Sequence, residues 1–347
     1  MLHVAILPLD SYTTQVTLAN YEPMSELARV QQTRNLDDDE LRRFAVKAAN
    51  ERDAEALWTL TRAYLEDTTD KGNLSRLTFK AYRHGVGVFV TANAHENLLH
   101  PSRRMGSRYR AWLKETPFIN PDTDAPARYR SPSTVNKTLA AARVLYRALH
   151  WAGATDATPF ASVKGVHDPV PAWEKVQPYP KAELDKLLDV TTDPADVVAL
   201  LLCAHAGLRA HEAAGLEWRA LDLKAKRLQV RGKGGYVDSV ALSKSLLDAL
   251  EVLRTDKTLR RKAKARAGKV LPYADERLRQ RLRALCAAAG IDYRALHPLR
   301  HQSGTRMYEE TGDLRRTQTH LRHKNIATTT IYAKVSEKAL EDVTREW

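Results

Sequence analysis

A proline-rich stretch divides this sequence, because neither a regular helix nor a central strand can run through it. Four prolines lie within residues 164–180, at positions 169, 171, 178 and 180. Each proline lacks the backbone N–H that helices and sheets use for hydrogen bonding. The chain has 347 residues, whereas a single domain usually has about 100–200. We therefore predict two domains joined by a linker at 166–180.

The part before the linker is predicted to be helical over most of its length. Apolar residues recur at helical spacing after Asp53. Ser131 followed by Pro132 predicts a further helix, because serine caps a helix and proline fits its first turn. We assign 51–165 to an all-helical domain. Residues 1–50 show little regular pattern beyond one acidic turn, Asp37–Glu40, that predicts the start of a helix, and we treat them as an N-terminal extension of uncertain order.

The part after the linker, 181–347, is predicted to combine helices with a small β-sheet. An apolar stretch from about Pro194 to His205 is typical of a buried helix. Two short runs typical of strands, 228–231 and 237–242, are joined by Gly232-Lys-Gly-Gly235, as in a hairpin. The chain is thus expected to be mainly α with a small sheet in its second domain.

The net charge of +13 indicates a polyanionic partner, and nucleic acid is the first candidate. Between Arg254 and Arg283, twelve lysines and arginines face three acidic residues. Such a run suits contacts to phosphates, although charge runs are often only solvated helix faces. A membrane is the weaker alternative, because no apolar run approaches the ~20 residues of a membrane span. We therefore expect no membrane partner.

The two cysteines, Cys203 and Cys286, lie in apolar helical patterns. This placement favours buried thiols in a reducing compartment over disulfides or cysteine-ligated zinc. The N terminus lacks the basic start of a signal peptide, so a cytoplasmic location is expected. His297 and His301 share a helix face, but the glutamate of a His-Glu-x-x-His zinc site is missing, so no metal is expected.

The C-terminal half contains side chains that the transfer of a phosphodiester requires. The charge on a transferring phosphoryl group calls for fixed planar cations, and Arg209 and Arg300 meet that need. A phenol can both attack and leave, which suits Tyr332 as nucleophile. Lys233, on its glycine-rich turn, can donate a proton to the leaving sugar oxygen. Taken singly, each residue also has an ordinary explanation as a surface ion pair, a turn or a packing residue.

Several motifs occur together in the order and at the spacing of one enzyme family. They are Gly-Leu-Arg209-x-x-Glu212, the hairpin Lys233, His297-x-Leu-Arg300-His301, Leu-x-His323 and Thr-x-x-Tyr332. The series resembles the tyrosine recombinases of the phage integrase family. The resemblance is close over roughly 175–347. It is looser over 50–165, which look like the helical core-binding domain of a two-domain DNA clamp.

The resemblance implies a role for each of the principal residues. Arg209 and Arg300 would bind the scissile phosphate of double-stranded DNA. Tyr332 would attack that phosphate to give a 3′-phosphotyrosyl link and a free 5′-hydroxyl. Lys233 would be the general acid. No cofactor would be needed, because the phosphotyrosine conserves the bond energy.

The remaining motif residues would assist this chemistry. His297 would be the acid–base partner of the tyrosine, and His323 a donor to a phosphate oxygen. Glu212 and His301 would be supporting residues that orient the arginine and brace the helix. The resemblance further implies a synaptic tetramer on DNA, formed by this chain alone or with a paralogous recombinase.

One departure and several alternatives remain at this point. Arg322 occupies a position where the family commonly has glycine, which predicts either local backbone strain or an additional phosphate contact. The alternatives are a type IB topoisomerase-like relaxing enzyme and a non-catalytic architectural DNA-binding protein. Among recombinases, the absence of a recognisable small β domain in 1–50 favours Xer-like dimer resolution over integration and excision of mobile DNA.

Overall fold

The computed structural model describes residues 25–68, 74–117, 127–175, 177–232, 236–256 and 268–333. The chain divides into two compact units, 1–168 and 169–347. This division falls inside the stretch that we assigned to the linker. None of the described helices is long and apolar enough to cross a membrane.

The first unit is built from helices packed around one long central helix. They are α1 (Glu26–Arg34), α2 (Asp38–Glu51), α3 (Ala54–Thr68), α4 (Arg76–Ala92), α5 (Met105–Glu115) and α6 (Pro132–Trp151). As predicted, Ser131 caps α6 by accepting a hydrogen bond from the Thr134 N–H, and Pro132 occupies the first turn. Helix α6 packs against α3, α4 and α5. The core between them includes Leu57, Trp58, Phe89, Tyr109, Leu139 and Leu145.

The helical unit begins before residue 50, where we placed its boundary, because α1 and nearly all of α2 precede that position. Asp37 caps α2 by accepting from the Glu40 N–H, and the Glu40 side chain accepts from the Asp37 N–H in return. Such a reciprocal cap satisfies two backbone donors that a helix start leaves unpaired. Helix α1 is held against α3 by Glu26, which accepts from Trp58 Nε1 at 2.9 Å. Residues 26–50 therefore belong to the helical unit, whereas 1–24 lie outside the described residues.

The second unit combines helices with a three-stranded antiparallel sheet in the order β1-β2-β3. The strands are β1 (Leu221–Asp222), β2 (Arg227–Arg231) and β3 (Val237–Ala241). Leu228 of β2 pairs with Val240 of β3, and both side chains are buried on the core side of the sheet. The mainly α fold with a small sheet is confirmed. Lys233 and the two glycines that follow it lie outside the described residues.

The described helices of the second unit surround one apolar helix. They are α7 (Ala172–Lys175), α8 (Lys181–Asp189), α9 (Pro194–Ala204), α10 (Ala210–Gly215), α11 (Lys244–Thr255), α12 (Asp275–Ala289), α13 (His297–Thr311), α14 (Leu314–Leu321) and α15 (Thr330–Ala333). Nearly every residue of α9 is buried. It contacts α10, α11, α12 and α13. Helix α13, which contains Arg300, and helix α10, which begins directly after Arg209, therefore both pack against α9.

Candidate active site

Arg209 stands at the start of α10, where Glu212 holds it by its backbone and its side chain. One carboxylate oxygen of Glu212 accepts from the Arg209 N–H at 2.9 Å, and the other accepts from Nη1 at 2.8 Å. Glu212 is almost buried, at 6% side-chain exposure, whereas Arg209 retains 39%. Burial opposes ionisation, but the bonds from Arg209 and the charge of Arg322 lower the pKa of Glu212 below its usual value. The guanidinium is thus anchored on one edge and open on the other.

Arg300 is a cation buried inside the second unit, with only 1% exposure. Its two Nη atoms donate to the carbonyl oxygens of Gly207 and Leu321. These carbonyls belong to the loop before α10 and to the end of α14, so one planar fork joins both elements to α13. Burial, with the positive charges of Arg209 and Arg322, lowers the pKa of Arg300 to about 10. The guanidinium therefore stays charged at neutral pH.

Tyr332 lies on α15 with its hydroxyl 3.2 Å from Nδ1 of His301. The side chain is 3% exposed. Burial raises the pKa of Tyr332 to about 12, against the opposing charge of Arg300. Gly304 of α13 makes room for the ring, because a Cβ there would lie 2.6 Å from Tyr332 Cζ. The Tyr332 phenol is therefore protonated at neutral pH and packs closely against α13.

His297 and His323 complete the cluster around the arginines. The His297 ring meets the His301 ring edge-on at 4.7 Å between centroids, and Nδ1 of His323 lies 3.0 Å from Thr329 Oγ1. Burial first, and then positive charge on four neighbouring residues, lower the pKa of His323 to about 4; these neighbours are Arg300, Arg209, His301 and His297. His297, although partly exposed, also has a lowered pKa, through desolvation and then Arg300 and Arg209.

The structure brings seven of the eight sequence-predicted residues into one cluster. They are Arg209, Glu212, His297, Arg300, His301, His323 and Tyr332. Lys233 is outside the described residues, so its position stays a prediction. His301, expected only to brace the helix, is the residue that contacts the Tyr332 hydroxyl. Within the described residues, no three His, Cys, Asp or Glu side chains are grouped as a metal site.

Two polar contacts behind the site were not anticipated. Ser303 Oγ lies 2.7 Å from His320 Nε2, and Arg322 donates to Glu212 at 2.9 Å. The sequence offered no signal for the first contact, because a polar residue on an amphipathic helix is ordinarily placed in solvent. For the second, the signal was the replacement of glycine by arginine before His323.

The basic run from Arg254 to Arg283 is largely paired where it is described. Lys269 bonds to Glu217 at 2.8 Å, Arg279 to Asp275 at 2.7 Å and Arg281 to Asp196 at 2.5 Å. Residues 257–267 of this run lie outside the described residues. The cations of the run that form ion pairs among the described residues are Arg254, Lys269, Arg279 and Arg281. Phosphate contacts of the run stay a prediction.

The chain is similar to known DNA recombinases over both of its units. Residues 180–339 match the phage integrase family, and 61–153 match the SAM-like N-terminal domain of phage integrases. Tyrosine recombinase XerC of Xanthomonas axonopodis pv. citri is 30% identical over 61% of this chain and 71% of its own length. The chain belongs to the phage integrase family. Members of this family, the tyrosine recombinases, are enzymes that cleave and rejoin DNA.

Two further similarities extend over most of this tyrosine recombinase. Tyrosine recombinase XerC of Xanthomonas campestris pv. campestris is 27% identical over 84% of this chain and 88% of its own length. The XerH site-specific recombinase, in a post-cleavage complex with a palindromic difH substrate, shares the fold. Its TM-score is 0.65 at 14% identity, over 91% of this chain and 92% of that one. The two-domain recombinase fold predicted from the motifs is thereby confirmed.

Three half-buried histidines are expected to make the stability of this recombinase depend on pH. Burial, with nearby positive charges, lowers the pKa of His301, His320 and His323 from 6.5 to about 4. Between these values the unfolded chain binds more protons than the folded chain, so the free energy of unfolding falls as pH drops. We expect a loss of at least about 1 kcal/mol per histidine between about pH 7 and about pH 4.5, measured by urea unfolding.

A matched pair of variants tests whether the half-buried histidines cause this pH dependence. His320→Gln retains a partner for Ser303 but cannot titrate, so its unfolding free energy should vary less with pH than that of the parent. Thr317→Val alters a buried polar residue of the same helix without removing a titratable group, and should leave the slope unchanged. Equal slopes in the parent and in His320→Gln would contradict the assignment.

Proposed function

We propose that this chain is a site-specific DNA recombinase that acts through a covalent link between Tyr332 and a backbone phosphate. The observation that carries the proposal is the convergence of the motif residues. The Tyr332 hydroxyl lies 3.2 Å from His301 Nδ1, and the His301 ring meets that of His297. Arg300 bonds to the loop before Arg209 and to the end of the helix before His323. Residues spread over more than a hundred positions thus surround one small volume, with a phenol, imidazoles and two guanidiniums.

In the proposed first step the Tyr332 oxygen forms a bond to the scissile phosphorus. The bond between phosphorus and the 5′ oxygen breaks, which leaves a 3′-phosphotyrosyl link and a free 5′-hydroxyl. Arg209 and Arg300 offset the charge on the non-bridging oxygens, and His323 donates to one of them. Lys233 supplies the proton that the leaving 5′ oxygen takes up. Rejoining reverses the step, so no energy source is needed.

The phenol has to leave its slot before it can attack. Its hydroxyl is buried against His301, whose pKa of about 4 makes it a weak base at neutral pH. We assign His301 to holding the hydroxyl protonated. His297, more exposed and in ring contact with His301, is the proposed acid–base partner once the phenol reaches the DNA. Storage of the nucleophile in this way would prevent cleavage of DNA that is not correctly bound.

Trapping of the covalent link tests the function. A genomic fragment library carrying single nicks is incubated with the chain, because a nick next to the cleavage point releases the 5′-hydroxyl fragment and prevents rejoining. We expect protein–DNA adducts that map to a defined sequence, with the nucleotide attached to Tyr332 in the mass spectrum of the digested protein. Failure to form any adduct would exclude the enzymatic function and favour the architectural alternative.

The defined sequence also separates recombination from the topoisomerase alternative. The SAM-like match at 61–153 and the XerC relatives favour a recombinase. Relaxation of supercoiled DNA without any site requirement would favour the topoisomerase instead. With XerC relatives covered over 88% of their length, we propose an Xer-like role in resolving DNA dimers in the cytoplasm.

Double-stranded DNA and further copies of the chain are the proposed partners. The copies would form a synaptic tetramer, with or without a paralogous recombinase. The C-terminal tail lies outside the described residues. Its apolar spacing predicts a helix, and the resemblance to the tyrosine recombinases implies that this tail docks on a neighbouring subunit. Deletion of 336–347 is expected to reduce the assembly of protein on DNA, measured by sedimentation, more than it reduces binding of a single copy.

A further inference from the structure

Arg322 ends helix α14 in a backbone conformation that few side chains adopt. Its φ is 55° and its ψ 43°, in the left-handed region, where glycine has no steric penalty and other residues do. An arginine here carries a steric cost that glycine would avoid. The contacts of the Arg322 side chain indicate what offsets this cost.

The Arg322 guanidinium turns inward and bonds to the elements that carry the site. Its Nη2 donates to Glu212 at 2.9 Å and to the Gly207 carbonyl at 3.1 Å, and its Nη1 to the Ala206 carbonyl at 3.3 Å. The side chain is 5% exposed, and both of its Nη atoms donate to groups within the protein. It joins the turn before His323 to the loop before Arg209.

Glu212 is shared between two arginines as a result. One carboxylate oxygen bonds to Arg209 Nη1, and the other bonds to the Arg209 backbone N–H and to Arg322. Arg209 and Glu212 alone would be electrically neutral together. With Arg322 the group carries one net positive charge, to which Arg300 adds another. A carboxylate that is already partly neutralised competes less for the Arg209 guanidinium.

We propose that Arg322 is a positioning residue for Arg209. By sharing Glu212 and fixing the Ala206–Gly207 backbone, it holds the open edge of the Arg209 guanidinium ready for a phosphate anion. This inference rests on the proposed function, because it assigns phosphate binding to Arg209. The backbone strain expected from the sequence is present at Arg322, and we assign its additional positive charge to acting on the phosphate through Arg209.

The first test compares single-turnover cleavage of the trapped substrate by matched variants. Arg322→Gly accommodates the left-handed backbone but removes the guanidinium, and we expect cleavage to slow by about 10- to 100-fold, as small misplacements near a reacting centre do. Arg322→Lys keeps a charge without the fork and should lose less. Arg52→Gly is the control, because Arg52 ends α2 in the same conformation, at φ 55° and ψ 34°, and should cleave like the parent.

A double-variant cycle shows whether Arg322 acts through Glu212. In the Glu212→Gln background no carboxylate competes for Arg209, so adding Arg322→Gly should cost less than about threefold, well below its effect in the parent. Parental cleavage by Arg322→Gly would overturn the proposal. So would an equal loss from Arg322→Gly in both backgrounds, because a merely structural role would give the same loss in each.

Anion binding gives a readout that does not need strand cleavage. Inorganic phosphate is titrated while the melting temperature is followed, and the part of the stabilisation that Arg209→Ala removes is assigned to this site. Arg322→Gly should raise the half-saturating phosphate concentration of that part several-fold. An unchanged concentration, or a stabilisation that Arg209→Ala leaves intact, counts against the proposal. A parent that binds phosphate in this way yet forms no adduct would instead contradict only the proposed function.

Discussion

Tyr332→Phe is expected to abolish the covalent adduct while leaving the fold and DNA binding intact. The substitution removes one oxygen, which is the proposed nucleophile, so adduct formation should fall by at least about 10⁴-fold. The ring still fills the slot beside Gly304. Loss of the bond to His301 should lower the free energy of unfolding by only about 1 kcal/mol. Gel analysis of the trapped complex and urea unfolding measure the two effects.

Tyr179→Phe is the matched control for this experiment. Tyr179 is also buried in the second unit, and its hydroxyl accepts from the Arg294 N–H at 2.7 Å. Its loss should cost similar stability without affecting adduct formation. An adduct that survives in Tyr332→Phe would mean that another residue is the nucleophile. Tyr332 would then have only a packing role.

The elements with strong local signals were predictable from the sequence. The Ser131–Pro132 start of α6, the apolar helix α9 and the two strands of the hairpin are set by capping, burial and alternation over a few residues. Helix α1 was not predicted, for the opposite reason. Helix α1 has no continuous apolar face, and its position depends on the bond from Trp58 to Glu26, which joins residues 32 apart in the sequence.

The site residues were predictable as a set, but their contacts were not. Motif order identified Arg209, Arg300 and Tyr332 without any distance. That His301 rather than His297 meets the phenol depends on the packing of α15 on α13, which no local pattern encodes. The backbone conformation of Arg322 was likewise not predictable from the sequence. A helix end can adopt several conformations, and tertiary contacts with Glu212 decide whether an arginine is held in the left-handed one.

Arg300→Lys is expected to have the second-largest effect on cleavage. A lysine carries the same charge but lacks the planar fork that bonds to the Gly207 and Leu321 carbonyls together. The loop before α10 and the end of α14 would lose their common anchor, and a phosphate oxygen would lose a fixed donor. We expect single-turnover cleavage to fall by about 10²- to 10³-fold, the usual cost of removing one preorganised donor to a developing anion.

A stability control separates this effect from partial unfolding. Arg281→Lys breaks the bidentate pair with Asp196, in the same unit but outside the site, and should lower the melting temperature without slowing cleavage at a temperature where both variants are folded. Arg300→Lys should lose cleavage even there, because a flexible ammonium cannot reproduce two fixed bonds and a third toward the phosphate. Parental cleavage by Arg300→Lys would show that the charge alone suffices, and that the fork serves only to join the two loops.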